Sequence, residues 1–506
     1  MMLLRGRSIL LGSISSQVFL ILSMAINLAI IPLILKYLSK EEYGVAIILL
    51  QLFWYFINFD FGLRNSLSRW FSIHSTITDE GRHSMNEVVS TAFFSYVILG
   101  SLLSVIGAIS APGLASLAGI ETPDGKQLLT ILAVFMGLRF PLLSFDSILF
   151  SQQKQSLSNL IVFVSSITNS GIIVLCVING MGIYSFAYAL IISTIIGSAL
   201  KFFFVKKYFP WLRIRRYLYN SKLIREMISF GFFTTLNAFA FQLIIQSDKL
   251  LIGALITPAA VAVYSITAKA PEIIMTLVNK IAENSTPYFI NKSATDGEGS
   301  LVLPYGKLIK LVTVITISCF WLTISFNKPF IVLWVGEGFY SGTMATLLTT
   351  SFFSMFMLTF ANTICLYSVG KIKGYSIVSI IQATVSILLS IPLAHKWGLT
   401  GILIASNIAA FISFIYIPIK TAKEIKLSWS IYIQGFLLPL IYISVFGILI
   451  YISCTWYFNT YQTTLFSFMT IGSLASIGIV TYSCYFLLRD EVSHFIQTST
   501  FNFFRK

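Results

Sequence analysis

Apolar residues run in long stretches along almost the whole chain, and polar residues gather in the short gaps between them. From Gly44 to Phe59 the sequence reads GVAIILLQLFWYFINF without a formal charge. About 20 consecutive apolar residues suffice to cross the hydrocarbon of a bilayer as a helix. Runs of this kind predict fourteen helices, at 9–36, 44–71, 88–111, 127–150, 159–179, 183–205, 229–255, 259–285, 307–327, 343–368, 374–394, 398–420, 432–456 and 464–488. The first run, behind Arg5 and Arg7, is too long for a signal-peptide core and has no small-residue cleavage site after it, so it reads as a retained transmembrane helix. The gaps are too short to hold a soluble catalytic domain.

Composition agrees with this pattern. Of 506 residues, 56% are hydrophobic and 10% charged, with a mean hydropathy of +0.85. Ordinary soluble domains carry about 25% charged residues. The chain is an all-α polytopic membrane protein. Its 34 lysines and arginines are divided unequally between the two sides. Only Lys36, Lys40, Lys126, Lys328 and Lys396 fall on one side, and most of the rest lie on the other. The positive-inside rule therefore puts both termini in the cytoplasm. The net charge of +15 is a topology signal and argues poorly for nucleic acid. Cys176, Cys319, Cys365, Cys454 and Cys484 sit singly in apolar runs, and His74, His83, His395 and His494 sit singly near span ends. None has metal-ligand spacing, so no metal site is expected.

The chain also repeats itself. ILFSQQKQ (Ile148–Gln155) aligns with CLYSVGKI (Cys365–Ile372) at an offset of 217, Lys154 falling on Lys371. LSKEEYGVA (Leu38–Ala46) meets ITPAAVAVY (Ile256–Tyr264) at 218, and NGMG at Asn179–Gly182 corresponds to KWGLTG at Lys396–Gly401. The expected organisation is an N-terminal lobe at 1–205 (helices 1–6) and a C-terminal lobe at 227–423 (helices 7–12), around a central cavity. Helices 13–14 and a cytoplasmic tail follow at 424–506. Two such repeats are a common plan of alternating-access transporters. Between the lobes, KKYFPWLRIRRYLYNSKLIRE (206–226) spaces Trp211, Ile214 and Leu218 helically beside Arg213, Arg216 and Arg225, and predicts a basic amphipathic helix on the anionic leaflet.

Ten ionisable residues lie inside spans or at their inner ends: Asp60, Arg64, Arg139, Asp146, Asp248, Lys249, Lys269, Glu272, Lys280 and Glu283. Facing lipid singly, they would cost on the order of 25–35 kcal/mol, more than the about 5–15 kcal/mol of net stability of a folded domain. They must pair with each other or line water. Asp60 and Arg64 stand one turn apart, Arg139 and Asp146 share a face, and Lys269, Glu272, Thr276, Lys280 and Glu283 form one helical stripe. Five bases oppose five acids among them, so sign alone does not identify a cargo, although an arginine fork is the natural partner of a diphosphate, which it grips with two charge-assisted bonds. The carboxylates at depth, Asp60, Asp146, Asp248 and Glu272, are the ion-coupling candidates. Lys280 and Glu283, nearer the inner end, are secondary cavity charges.

LSKEEYGVAIILLQLFWYFINFDFGLRNSLSR (Leu38–Arg69) resembles the first-hairpin signature of the Wzx-type O-antigen and polysaccharide repeat-unit flippases, members of the multidrug/oligosaccharidyl-lipid/polysaccharide (MOP) exporter superfamily. NKPFIVLWVGEGFYSGT (Asn327–Thr343) is similar to an outer loop of that family and YSVGKIKG (Tyr367–Gly374) to an inner one. The resemblance implies a non-enzymatic flippase of the bacterial inner membrane. Its cargo would be an undecaprenyl-pyrophosphate-linked oligosaccharide, carried from the cytoplasmic to the periplasmic leaflet. It implies alternating access coupled to a proton or sodium gradient, no cofactor, and other polysaccharide assembly proteins as partners. The pyrophosphate would fall to the cations Arg64, Arg139, Lys249 and Lys269. Alternatives are a multidrug exporter or a lipid II flippase of the same superfamily. A membrane enzyme on lipid-linked sugars, such as a repeat-unit polymerase, would need a large outer loop that this sequence lacks.

Overall fold

The computed structural model describes residues 2–73, 79–151, 155–461 and 463–503, and no strand occurs among them. His74 and Lys154 lie outside the described residues. Helices follow in the order α1 (Met2–Tyr37), α2 (Lys40–Ile57), α3 (Leu63–Ile73), α4 (Asp79–Leu117), α5 (Pro123–Arg139), α6 (Leu143–Ser151), α7 (Gln155–Ile178), α8 (Tyr184–Tyr208) and α9 (Ser221–Leu255). Next come α10 (Pro258–Thr267), α11 (Lys269–Asp296), α12 (Val302–Trp334), α13 (Thr343–Ser368), α14 (Lys373–Glu424), α15 (Trp429–Tyr432), α16 (Leu438–Thr460) and α17 (Leu465–Phe503).

Among the described residues, 11 helices are long and apolar enough to cross a membrane, or 12 when α10 and α11, bent by 53°, count as one span. The difference from the expected fourteen lies in two places. The 52 residues of α14 would reach about 78 Å as one rod, well beyond the about 40–45 Å of a bilayer with its headgroups. Gly398, at φ 55° and ψ −133°, kinks it into two spans where the sequence places them. The second expected span, 44–71, is not one helix but α2 and α3, parted by a 3-10 turn at Asn58–Asp60.

The chain packs as two compact units, Met1–Ala262 and Val263–Lys506. That division falls later than the lobe start at 227 expected from the repeat. The first unit centres on a buried cluster that includes Leu63, Leu67, Phe71, Val89, Tyr96, Phe140 and Ile148. In the second, Val314, Ile317, Ile443 and Ile479 form a smaller core. Near the offset read from the sequence, local structure is alike in two places. The starts of α2 at Lys40 and α10 at Pro258 are 218 residues apart, the offset read from the sequence. Their caps also correspond: Ser39 Oγ accepts from the backbone N of Glu42 at 3.1 Å, and Thr257 Oγ1 from that of Ala260 at 3.2 Å. Gly182 and Gly398 share a φ of 55° before the sixth and twelfth spans.

The basic stretch 206–226 is not the amphipathic helix its spacing predicts. α8 stops at Tyr208, and the chain then runs without α-helix, broken by one 3-10 turn at Arg216–Leu218, until Asn220 caps α9. Side chains of α4 take up its backbone N–H groups. Asn86 Oδ1 accepts from Arg213 at 2.8 Å, Ser90 Oγ from Arg215 at 3.0 Å and Thr91 Oγ1 from Asn220 at 3.1 Å. The segment is a strap along the start of α4, with Leu212 as its buried anchor.

Candidate functional site

Three of the expected spans depart from one straight helix, and each departure carries a charged residue. In the second span the chain turns at Asn58–Asp60, and Phe61 and Gly62 adopt φ of 48° and 73° before α3 begins. Asp60 Oδ1 accepts from the backbone N of Gly62 at 3.0 Å, and its Oδ2 lies 3.7 Å from Arg64 Nε. Glycine is required at 62 twice over. Its φ favours no side chain, and a Cβ there would collide with the carbonyl oxygen of Gly231 on α9. Ser66 Oγ donates to the Met227 carbonyl at 2.6 Å, fastening α9 to α3 one turn further on.

The fourth span tightens to a 3-10 turn at Pro141 without ceasing to be one span, Pro123–Leu149. α5 ends at Arg139, a 3-10 turn covers Phe140–Leu142, and α6 carries Asp146. Arg139 and Asp146 lie on either side of this turn in a span that stays helical from Pro123 to Leu149; they interact electrostatically, and Arg139 also feels Arg64. Asp146 has a further partner that sequence reasoning missed: Lys201 Nζ of α8, 2.8 Å from Oδ1, with side-chain exposures of 13% for the lysine and 23% for the aspartate. Tyr96 of α4 was missed as well. Its side chain is fully buried, feels Asp60, Arg64 and Asp146, and points a hydroxyl without a hydrogen-bond partner. Arg64 Nε, although ion-paired with Asp60, and Ser144 Oγ likewise lack a hydrogen-bond partner, whereas Ser147 Oγ donates to the Arg64 carbonyl at 3.1 Å.

Spans two, three, four and six of the first unit thus bring together Arg64, Arg139 and Lys201, Asp60 and Asp146, and Tyr96. By formal charge the cluster holds three cations and two carboxylates. Irregular backbone is tolerated at membrane depth only where protein buries it or water reaches it. Beside these charges the Tyr96 hydroxyl, Arg64 Nε and Ser144 Oγ lack hydrogen-bond partners, which leaves polar atoms available to a polar group.

The other expected residues form separate groups. Asp248 and Lys249, both buried, lie on α9 about 100° apart around the helix. Tyr55 donates to the Gln242 carbonyl at 3.4 Å and feels Asp248, and Lys249 Nζ stands 3.5 Å from Gln246 Oε1. In the second unit, Lys269 is the first residue of α11, at its bend with α10, and Glu272 follows in the first turn. The expected stripe on this helix separates into two parts. Lys269 and Glu272 are half-buried at the bend, whereas Lys280 and Glu283 form their own more exposed ion pair at 2.9 Å. In the inner loop before α14, Lys371 Nζ lies 2.8 Å from Glu424 and 3.3 Å from Glu298, and these carboxylates raise its pKa above the ordinary lysine value. Among the described residues no group of three or more His, Cys, Asp or Glu side chains could hold a metal.

Residues 9–291 match the family described as polysaccharide biosynthesis protein, a stretch that contains the whole cluster. The chain belongs to that family. It is similar to a putative O-antigen transporter of Shigella flexneri, 22% identical over 379 residues, covering 73% of this chain and 87% of that one. It is also similar to the uncharacterized membrane protein EpsK of Bacillus subtilis strain 168, 21% identical over 430 residues, covering 83% and 84%. Among solved structures, the lipid II flippase MurJ in an inward closed conformation aligns with a TM-score of 0.70 at 18% identity, over 96% of this chain and all of that one. An inward-facing multidrug-resistance MATE transporter of the MOP superfamily aligns at 0.65 and 14% identity, over 82% and 99%. The fold is that of these polytopic transporters.

Proposed function

We propose that this protein is a flippase rather than an enzyme. Its cargo in this reading is an undecaprenyl-pyrophosphate-linked oligosaccharide, an O-antigen or similar polysaccharide repeat unit. It moves that cargo from the cytoplasmic to the periplasmic leaflet of a bacterial inner membrane by alternating access, drawing on a proton or sodium gradient. The observation that carries the reading is the cluster formed by the second, third, fourth and sixth spans: three cations against two carboxylates, with Arg64 Nε and the Tyr96 hydroxyl lacking hydrogen-bond partners. One positive charge in excess, in a setting of low dielectric, favours an anion over a cationic drug. Arg64 and Arg139 supply planar forks for the diphosphate oxygens, and Lys201 adds a point charge. Asp60 and Asp146 hold these cations between transport cycles and are the first candidates for ion coupling. Within the first unit Lys249 and Asp248 of α9, and within the second Lys269 and Glu272 of α11, are further cationic and ion-coupling candidates, with Lys280 and Glu283 as a secondary charged pair. Family membership and the O-antigen transporter relative support a sugar-carrying cargo.

Deletion of the gene in its own host, followed by extraction of lipid-linked sugars, tests this reading. A lipid-linked oligosaccharide should accumulate on the inner leaflet while surface polysaccharide is lost. Unchanged lipid-linked pools with intact polysaccharide would overturn it. Accumulation of lipid II instead would transfer the assignment to peptidoglycan.

A further inference from the structure

The strap between α8 and α9 closes over the start of α4, leaving a cavity of about 330 Å3 lined by Arg82, His83, Asn86, Trp211, Arg213 and Tyr217. We propose that this cavity binds the phosphate of an anionic membrane lipid at the bilayer surface. It uses none of the residues assigned to transport, so it stands whatever the cargo proves to be.

Charge comes first. The ionisable groups of the lining include Arg82, His83 and Arg213, and no carboxylate is among them. Glu87, further along α4, is turned to Asn220, whose Nδ2 donates to it at 2.7 Å. Cations gathered in a lining that supplies no acid favour the entry of an anion, and two guanidinium forks match a phosphate's oxygens. The arrangement is also fixed in place. Arg213 donates its backbone N to Asn86 Oδ1 at 2.8 Å, and Asn86 sits one helical turn beyond Arg82. The Arg82 guanidinium lies 6.0 Å from the centre of the Trp211 ring, which meets Phe209 edge-on at 5.9 Å. Lys206 Nζ donates to the Leu212 carbonyl at 3.1 Å, tying the strap back to the end of α8.

Depth identifies the source of the phosphate. The cavity opens where α4 begins and α8 ends, among Trp211, Tyr208, Tyr219 and the 81%-exposed Tyr217. Tryptophan and tyrosine mark the membrane–water interface. A phosphate already anchored by acyl chains arrives there without search, and the volume is near the small end of the about 300–1,000 Å3 typical of ligand sites. The basic bias of this side places the site on the anionic inner leaflet.

Native mass spectrometry of the full chain in detergent, with added cardiolipin, phosphatidylglycerol or phosphatidylcholine, tests the proposal. The protein should retain the two anionic lipids over phosphatidylcholine. Each lost charge-assisted contact is worth about tenfold, so Arg82→Ala with Arg213→Ala should weaken that retention about a hundredfold. The pair Arg82→Lys and Arg213→Lys keeps the charges without the forks and should retain the anionic lipids better than the alanine pair though less than the parent, which separates a lost site from a misfolded strap. The pair Lys222→Ala and Arg225→Ala removes as much charge from exposed positions of α9 and should leave retention unchanged. Equal losses from the two alanine pairs would reduce the effect to diffuse charge and overturn the proposal, as would no preference for anionic lipid. Displacement of the lipid by millimolar inorganic phosphate would make the ligand a soluble phosphate and overturn the lipid assignment.

Discussion

The ion pair between Asp146 and Lys201 gives the sharpest quantitative expectation. At the observed 2.8 Å, Coulomb attraction is about 6 kcal/mol for an effective dielectric of about 20, much of it offset by the cost of desolvating both ions. Removing one partner of a fully buried pair costs about 3–5 kcal/mol. Exposures of 13% and 23% leave some solvent screening, so about 2–3 kcal/mol is expected here. The two single substitutions should differ. Asp146→Asn leaves Arg64, Arg139 and Lys201 facing Asp60 alone, whereas Lys201→Met leaves Asp146 with Arg139 still in reach. Asp146→Asn should therefore be the more damaging. The double variant should recover about 1–2 kcal/mol relative to the sum of the singles, as coupled neighbours do. Unfolding of the four proteins in the same detergent, followed by tryptophan fluorescence, reads these differences. Additive losses, or Lys201→Met proving the worse single change, would refute the picture of surplus cations held by two acids.

Other expectations follow from the same geometry. Arg139→Ala and Lys269→Ala should each abolish surface polysaccharide while the protein still inserts, measured by membrane fractionation beside a polysaccharide blot; normal polysaccharide in both would remove them from the mechanism. Asp60→Asn and Glu272→Gln should slow transport and flatten its dependence on pH if these groups couple to protons, and an unaltered profile would leave them structural. Gly231→Ala should lower the yield of folded protein in size-exclusion chromatography, although alanine favours a helix interior by about 0.8–1.0 kcal/mol over glycine. Its Cβ would lie 2.6 Å from the Gly62 carbonyl oxygen, so a rise in stability would show that α3 and α9 do not meet there.

The spans were legible because hydrocarbon demands long apolar runs, and a run is visible without any neighbour. Charges inside such runs stand out for the same reason, which is how Asp60, Arg64, Arg139 and Asp146 are found from sequence alone. Lys201 shows the limit. It lies inside the sixth span but close enough to its basic end to count as a topology signal, and only the approach of α6 reveals the pairing. Tyr96 carries no signal at all, since a tyrosine in an apolar run is ordinary. The irregular turns were partly announced: Pro141 withholds a backbone donor, and Asn58, Asp60 and Gly62 favour a turn. The bend before Lys269 has only Pro271 beside it. The strap misled because Trp211, Ile214 and Leu218 recur at helical spacing. Asn86, Ser90 and Thr91 offer its backbone better partners than its own turns would, and a distant segment of chain does not declare such offers. The likeness near the offset read from the sequence lies in caps and glycines, which are local, whereas the division into compact units depends on which helices α9 packs against.

Reconstitution tests the central claim most directly. Purified protein is placed in liposomes carrying an undecaprenyl-pyrophosphate-linked oligosaccharide loaded on one leaflet, and the sugar's access to a membrane-impermeant reagent on the other side is followed over time. The protein should transfer the sugar across the bilayer, and Arg139→Ala, folded and inserted to the same extent, should not. Transfer at the protein-free rate, or undiminished transfer by Arg139→Ala together with Arg64→Ala, would contradict a flippase that grips its cargo through this charged cluster.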